Sequence, residues 1–243
     1  MPREALRSSI KQHKAKNLKS KNDDLNLDLA MRKTKKYLEE RFSGGGGGVA
    51  NFVEGKYYFE ITKKLDLSFM IENIKASKLR AEFDTSFMDR AIYPDGGILF
   101  LKKKDEPNFA KVLLITEAKR QGTNDERAKE GRKKQATGNA IERLGKNLTG
   151  IKAMLNHEKI TPFVCFGWGC DFAPSEKTVL AKLNVLNEFY YLNKTYIFKT
   201  DGNSNFNYFS PVSMYFREEK WEADEMFHIC KEIAETSLRY YIF

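Results

Sequence analysis

No stretch of these 243 residues is apolar for long enough to cross a bilayer, which takes about eighteen or more consecutive apolar side chains. The lysine-rich start also lacks the apolar segment of a secretory signal, so a soluble, cytoplasmic protein is expected. Cysteine is scarce. Cys165, Cys170 and Cys230 are odd in number and form no Cys-x-x-Cys pair, which argues against a disulfide framework and a zinc site. Cys165 and Cys230 stand among apolar neighbours and read as packed thiols. His13, His157 and His228 lie far apart, which leaves no histidine-centred metal or nuclease motif. Acid is the minority charge: 33 Asp and Glu face 42 Lys and Arg, a net +9. That balance favours an anionic partner, and on charge alone nucleic acid and acidic membrane are equally served.

The length fits one sizeable core, hence a single α/β domain with an arm. Residues 1–48 read as a basic arm, a helix and a glycine connector, and residues 49–243 as the main domain. Between Glu4 and Asp23 stand Arg7, Lys11, Lys14, Lys16, Lys19 and Lys21 with no acid among them, a block that repels itself unless a polyanion meets it. Leu25, Leu29, Tyr37, Leu38 and Phe42, mostly four apart, predict a helix over 24–42 with Arg32, Lys33, Lys35 and Lys36 on its polar face. The glycines at 44–48 cannot hold a regular element and end it. Residues 56–61 read as a strand, and Leu65, Phe69, Ile71 and Ile74 as a short helix over the sheet.

The chemistry concentrates between residues 94 and 143. Two apolar runs, 98–101 and 112–115, flank a polar break containing Pro107 and Asn108, which predicts a β-hairpin folded between residues 106 and 107. That register sets Asp95 opposite Ala118, and the two-residue side-chain period puts Glu117 and Lys119 on one face. Two carboxylates and an ammonium then meet at one sheet end. Carboxylates so placed suit Mg²⁺, which takes oxygen ligands and is commonly held by one or two acids plus substrate phosphate. Such a site serves phosphodiester hydrolysis, with Lys119 orienting the attacking water or sharing in charge neutralisation. Taken singly, Pro94-Asp95-Gly96-Gly97 is also ordinary turn chemistry, and Glu-x-Lys also an ordinary solvated strand end.

After Gln121 the chain is almost wholly polar to Gln135, with Arg127, Lys129, Arg132, Lys133 and Lys134 and no apolar period, so a loop or a segment ordered on DNA is expected. From Asn139, the residues Ile141, Leu144, Leu148, Ile151 and Leu155 recur at three- and four-residue spacing and predict an amphipathic helix to about residue 156, capped by Thr137 or Asn139. Its N-terminus is suited to a phosphate backbone or a groove. Residues 161–168 read as a buried central strand, 175–189 as a helix, 196–198 and 212–216 as strands, and 221–240 as a last helix with Phe227, Cys230, Ile233, Ala234 and Leu238 on one stripe.

The blocks Pro94-Asp95-Gly96-Gly97-Ile98, Glu117-Ala118-Lys119-Arg120-Gln121-Gly122 and Gly138-Asn139-Ala140-Ile141-Glu142-Arg143, in this order, resemble the EcoRI-type restriction endonucleases of the PD-(D/E)xK superfamily. The resemblance implies a central mixed β-sheet flanked by helices, with the catalytic acids at one end. It implies a Mg²⁺-dependent type II endonuclease, a homodimer that cuts double-stranded DNA within a palindrome and works beside a cognate methyltransferase. By that resemblance Asp95, Glu117 and Lys119 are catalytic, Asp95 and Glu117 being the metal ligands. Asn139, Ala140 and Arg143 are base-contacting, and Glu142, Gln121 and Lys146 belong to a network at the DNA interface. The arm over residues 1–22 corresponds to one that helps enclose DNA. An AATT core is implied, with GAATTC the first choice. The chain departs from the family pattern at Ala136-Thr137, and at Lys182 and Val185, where the pattern carries arginines; the outer base pair is therefore open. The competing readings are a structure-specific repair or junction-resolving nuclease and an inactive DNA-binding protein.

Overall fold

Alternation of strand-forming apolar runs with turn residues builds one twisted sheet, seen in a computed structural model. It describes residues 25–42, 55–66, 91–120, 122–135, 160–173, 181, 191–192 and 212–242, together with 144, 145, 147, 148, 150, 151, 155 and 158. The strands are β1 (Tyr57–Thr62), β2 (Leu65–Asp66), β3 (Ala91–Ile92), β4 (Gly97–Lys103), β5 (Ala110–Arg120), β6 (Phe163–Trp168), β7 (Tyr191–Leu192) and β8 (Val212–Arg217). Six of them form the main sheet in the order β1-β4-β5-β6-β8-β7, and β2 pairs with β3 apart from it. The pairs β1/β4 and β4/β5 are antiparallel, whereas β5/β6, β6/β8 and β7/β8 are parallel. This is the mixed sheet with flanking helices that the resemblance implies.

Helices cover both faces of the sheet, which is why β4 and β6 read as continuous apolar runs. A helix over 25–42 (α1) and the C-terminal helix Ala223–Ile242 (α4) pack on one face, against Leu99, Leu101, Leu113, Leu114, Val164 and Phe166. On the other face Leu144, Leu148, Ile151 and Leu155 pack against Ile98, Phe100, Ile115, Phe163 and Cys165. The described residues Leu144, Gly145, Asn147, Leu148, Gly150 and Ile151 are helical (α3).

The β4/β5 hairpin closes through Glu106-Pro107-Asn108-Phe109, with the Phe109 amide donating to the Glu106 carbonyl at 2.8 Å and Pro107 supplying the preset φ of a turn. Its register changes midway. Phe100 pairs with Val112 but Leu99 pairs with Leu114, so Leu113 is an extra residue in β5. Leu113 and Leu114 both face α1 and α4, and beyond them the odd-numbered side chains turn toward α3. Lys102↔Ala110 pairing continued without that bulge would set Asp95 opposite Glu117; the shift continues Gly97↔Thr116 toward Asp95 and Ala118 instead.

Several expectations change. In α1 the buried side chains are Leu27, Ala30, Met31, Thr34, Leu38 and Phe42, while Leu25 and Leu29 are exposed. Positions 27, 31, 34 and 38 form the tighter helical stripe, and the two leucines lie off it. In α4 Met226 is buried in the place expected for Phe227; Phe227 is half-buried, edge-on to Tyr37 of α1. Leu65 is in β2 and not in a helix. The polar stretch after Gln121 is only in part a loop: residues Gly122–Lys129 are helical (α2), and residues 130–135 carry no regular element. The arm, the glycine tract, Phe69 to Ile74 and the strand at 196–198 lie outside the described residues, as does the helix at 175–189 save for Ala181, which is helical.

Candidate active site

The turn that begins β4 is forced by two glycines. Gly97 has φ +87°, and a Cβ there would lie 2.5 Å from the Thr62 carbonyl oxygen. A Cβ on Gly96 would lie 2.0 Å from Thr116 Oγ1 and 2.6 Å from Leu27 Cγ. Only a bare backbone passes so close to β5 and α1. The Gly97 amide donates to the Pro94 carbonyl at 3.0 Å and the Gly96 amide to the Thr116 carbonyl at 3.1 Å, which fixes Asp95 at the sheet end.

Asp95 then meets β5 as the strand register expects. Its Oδ2 accepts from the Ala118 amide at 3.1 Å and from Lys119 Nζ at 3.1 Å, while its own amide donates to Glu117 Oε2 at 3.0 Å. Lys119 Nζ also donates to Glu117 Oε1. The side chains are 37 % (Asp95), 17 % (Lys119) and 3 % (Glu117) exposed, so the cluster runs from a solvent-facing carboxylate to one sealed in the protein. Burial lowers the pKa of the Lys119 ammonium, but the Glu117 and Asp95 carboxylates outweigh it and hold the value above the ordinary lysine range. Lys119 is therefore a fixed positive charge between two acids.

A residue not singled out in the sequence completes the cluster. Asn147 of α3 donates from Nδ2 to Glu117 Oε1 at 2.8 Å. Its one legible signal is position, next to Leu148 and three residues after Leu144, although Asn147 itself is exposed where those two leucines are buried. Cys165 pairs with Glu117 across β5/β6, and its burial above all pushes the thiol pKa far up, leaving it neutral and apolar in character.

Among the described residues no three His, Cys, Asp or Glu side chains converge as a metal cluster. What the chain could offer a cation here is two carboxylates arranged around one cationic group. Such a hard-oxygen set fits a divalent ion that takes its other ligands from water and phosphate.

Beside the cluster, polar contacts hold α2. Asn124 Nδ2 donates to the wholly buried Asp171 at 2.7 Å, and Asn124 Oδ1 accepts from the Gln135 amide at 2.8 Å. Asp125 accepts from the Cys170 amide at 2.7 Å, and Lys134 Nζ donates to the Cys170 carbonyl at 3.0 Å. The basic stretch is thus stapled to the end of β6 through its own side chains. Of the other residues singled out, Asn139, Ala140, Glu142, Arg143, Gln121 and Lys146 lie outside the described residues.

Comparison with known proteins agrees with the motif blocks. The family described as Restriction endonuclease EcoRI matches residues 53–182, more than half of the chain. The type II restriction enzyme RsrI of Cereibacter sphaeroides is 30% identical over 180 residues, covering 61% of this chain and 64% of that protein. The type II restriction enzyme EcoRI of Escherichia coli is 29% identical over 180 residues, with the same coverage of 61% and 64%. The chain thus aligns with slightly less than two thirds of the length of these curated relatives.

Proposed function

The chain belongs to the EcoRI restriction endonuclease family, and from that premise we propose that it is a Mg²⁺-dependent type II endonuclease. It hydrolyses phosphodiester bonds of double-stranded DNA within a palindrome, acts as a homodimer, and has a methyltransferase as its functional companion. The observation that carries this reading is the convergence of Asp95, Glu117 and Lys119 at one sheet end, inside the matched region.

In this reading Asp95 and Glu117 hold the cation. Asp95, the more exposed, faces the incoming phosphate, while the buried Glu117 anchors from below. A bound Mg²⁺ supplies Lewis acidity to the phosphoryl group and to the water that attacks it. Lys119 orients that water and balances charge growing on the phosphoryl oxygens, a role that needs the fixed ammonium the two carboxylates maintain. Within residues 1–48 the phosphate-binding arm is residues 1–22, followed by the helix α1 and the glycine connector, and residues 49–243 are the catalytic and recognition domain, on whose sheet α1 packs. Asn139, Ala140 and Arg143 contact bases, supported by Glu142, Gln121 and Lys146. Asparagine suits the N6 and N7 edge of adenine, in keeping with an AATT core and GAATTC as first choice. Two-fold symmetry of protein and site fit together, one subunit reading and cutting each half.

Incubation of duplex plasmid with the protein and Mg²⁺ tests the proposal. Discrete, sequence-defined fragments are expected. Cutting governed by DNA structure, or retention without cutting, would replace it with a junction-resolving nuclease or an inactive binder.

A further inference from the structure

Glu117 has three donors, and one comes from another part of the chain. Oε2 takes the Asp95 amide, and Oε1 takes both Lys119 Nζ and Asn147 Nδ2. The Asp95 amide belongs to the hairpin and fixes one oxygen. The Lys119 ammonium is shared with Asp95, so it does not by itself fix the plane of the carboxylate. Asn147 does, because α3 is seated on the sheet by Leu144 and Leu148 to either side. The direction of the contact is settled by chemistry: an ionised carboxylate only accepts, so the amide presents its NH₂. Asn147 is itself exposed while Glu117 is 3 % exposed, so a water replacing the amide would have to enter from the Asn147 side and would not be held in place by the helix.

We propose that Asn147 is a positioning residue, whose amide holds the Glu117 carboxylate in the plane that receives a divalent cation and ties that plane to the seating of α3. The proposal rests on the reading of Asp95 and Glu117 as cation ligands. Donors that orient a ligand from behind are typically worth roughly 10- to 100-fold in metal affinity.

The test uses the full chain with Asn147→Ala and Asn147→Leu, the second keeping most of the volume and losing the donor. Mn²⁺ is the probe, and its binding is followed without DNA by the loss of its free-ion paramagnetic resonance signal. Melting temperature without metal, kcat and KM for duplex DNA are measured beside it. Both variants are expected to bind Mn²⁺ roughly 10- to 100-fold more weakly. Their melting temperature and KM stay near the parent's, and kcat falls at limiting metal and recovers at high metal. Parent-like Mn²⁺ affinity in both variants would overturn the proposal. Recovery in the leucine variant alone would do so too, since Asn147 would then only fill space, and so would a parent chain that binds no Mn²⁺. If the parent binds Mn²⁺, the variants bind it weakly and no DNA is cut, the proposed function falls and this inference stands.

Discussion

Lys119 lies between Asp95 and Glu117 because it is two residues beyond Glu117 on the same strand face, and that position determines how each substitution fails. Asp95→Ala or Glu117→Ala removes one proposed cation ligand and one of the ammonium's two partners without touching the block at residues 138–143. Either change is expected to lower the rate of DNA cleavage by more than about a hundredfold, since residues acting only through a ligand already reach that size. Binding of the same DNA without metal should persist in a gel-shift titration. A near-parent rate at saturating Mg²⁺ in either variant would remove these acids from the active site. The three residues are legible in the sequence because an acid in a Gly-Gly turn, a strand-length spacing and Glu-x-Lys form a pattern that a hairpin brings together. Asn147 is not, because an exposed asparagine on a helix has many uses and only the packing of α3 aims this one at Glu117.

At the scale of elements, the bulge at Leu113 and the close approach at Gly96 do the positioning. The apolar run 112–115 announces a strand in the sequence, but nothing in it shows that one of its residues is supernumerary. Gly96→Ala would push a methyl into Thr116 Oγ1 and Leu27, and overpacking of this kind typically costs about 1–3 kcal/mol. A fall in melting temperature of about 2–4 °C per kcal/mol should follow for a chain of this size. Thr116 Oγ1 is buried without a hydrogen-bond partner among the described residues, so Thr116→Ala alone should cost little. The double variant Gly96→Ala/Thr116→Ala should recover part of the loss, and strict additivity of the two changes would contradict this account. α2 is hidden in the sequence because it has no apolar stripe; Asn124, Asp125 and Asp171 hold it, and such pairings have no period. The α1–α4 contact also depends on a polar node. Glu235 accepts from Tyr37 Oη at 2.6 Å and pairs with Arg41 at 3.2 Å and Arg239 at 2.7 Å. Burial raises the Glu235 pKa, but the tyrosine and the two arginines overcome it and leave the carboxyl below its usual range. A lowered folded value means stability that is present above the unfolded glutamate value of about 4.3 and lost as pH falls through the folded one. Glu235→Gln should therefore melt about 2–4 °C below the parent at pH 7, taking about 1 kcal/mol for a partly screened node. That gap should close as pH drops below about 4, and a gap independent of pH would mean the carboxylate's charge plays no part.

On the scale of the whole molecule, three layers place the proposed active site at one end of the sheet, with α1 beneath the Asp95 turn through Leu27 and α3 behind Glu117 through Asn147. The layers are legible because both-face burial gives continuous apolar strands and one-face burial gives striped helices. The facing of α1 is ambiguous in the sequence, where Leu25 and Leu29 compete with the stripe through Leu27, Met31 and Leu38. Residues 1–22 precede α1 and carry much of the positive charge. Deleting them should weaken binding to all DNA sequences alike, and should reduce the slope of log affinity against log salt by about 0.9 for each phosphate left without its lysine or arginine. An unchanged slope would make the arm a solvated tail.

In the proposed homodimer specificity is also a property of the whole assembly, because two subunits would have to present the same reading elements to two half-sites. Asn139, Ala140 and Arg143 match the family block associated with an AATT centre, whereas Ala136-Thr137, Lys182 and Val185 depart from the family pattern. A missing guanidinium changes the outer pair if its counterpart meets a base and leaves it unchanged if that counterpart meets a phosphate, since phosphate contacts fix register and carry no sequence information directly. The centre and the outer pair can therefore fail separately. Digestion of a random-sequence duplex library in Mg²⁺, followed by sequencing of the ends, is expected to return AATT at every cut, flanked by G and C. Ends without AATT would refute the assignment of the reading block. Ends with AATT inside a different outer pair would refute only GAATTC, and would direct attention to Thr137, Lys182 and Val185 as the residues that changed the reading.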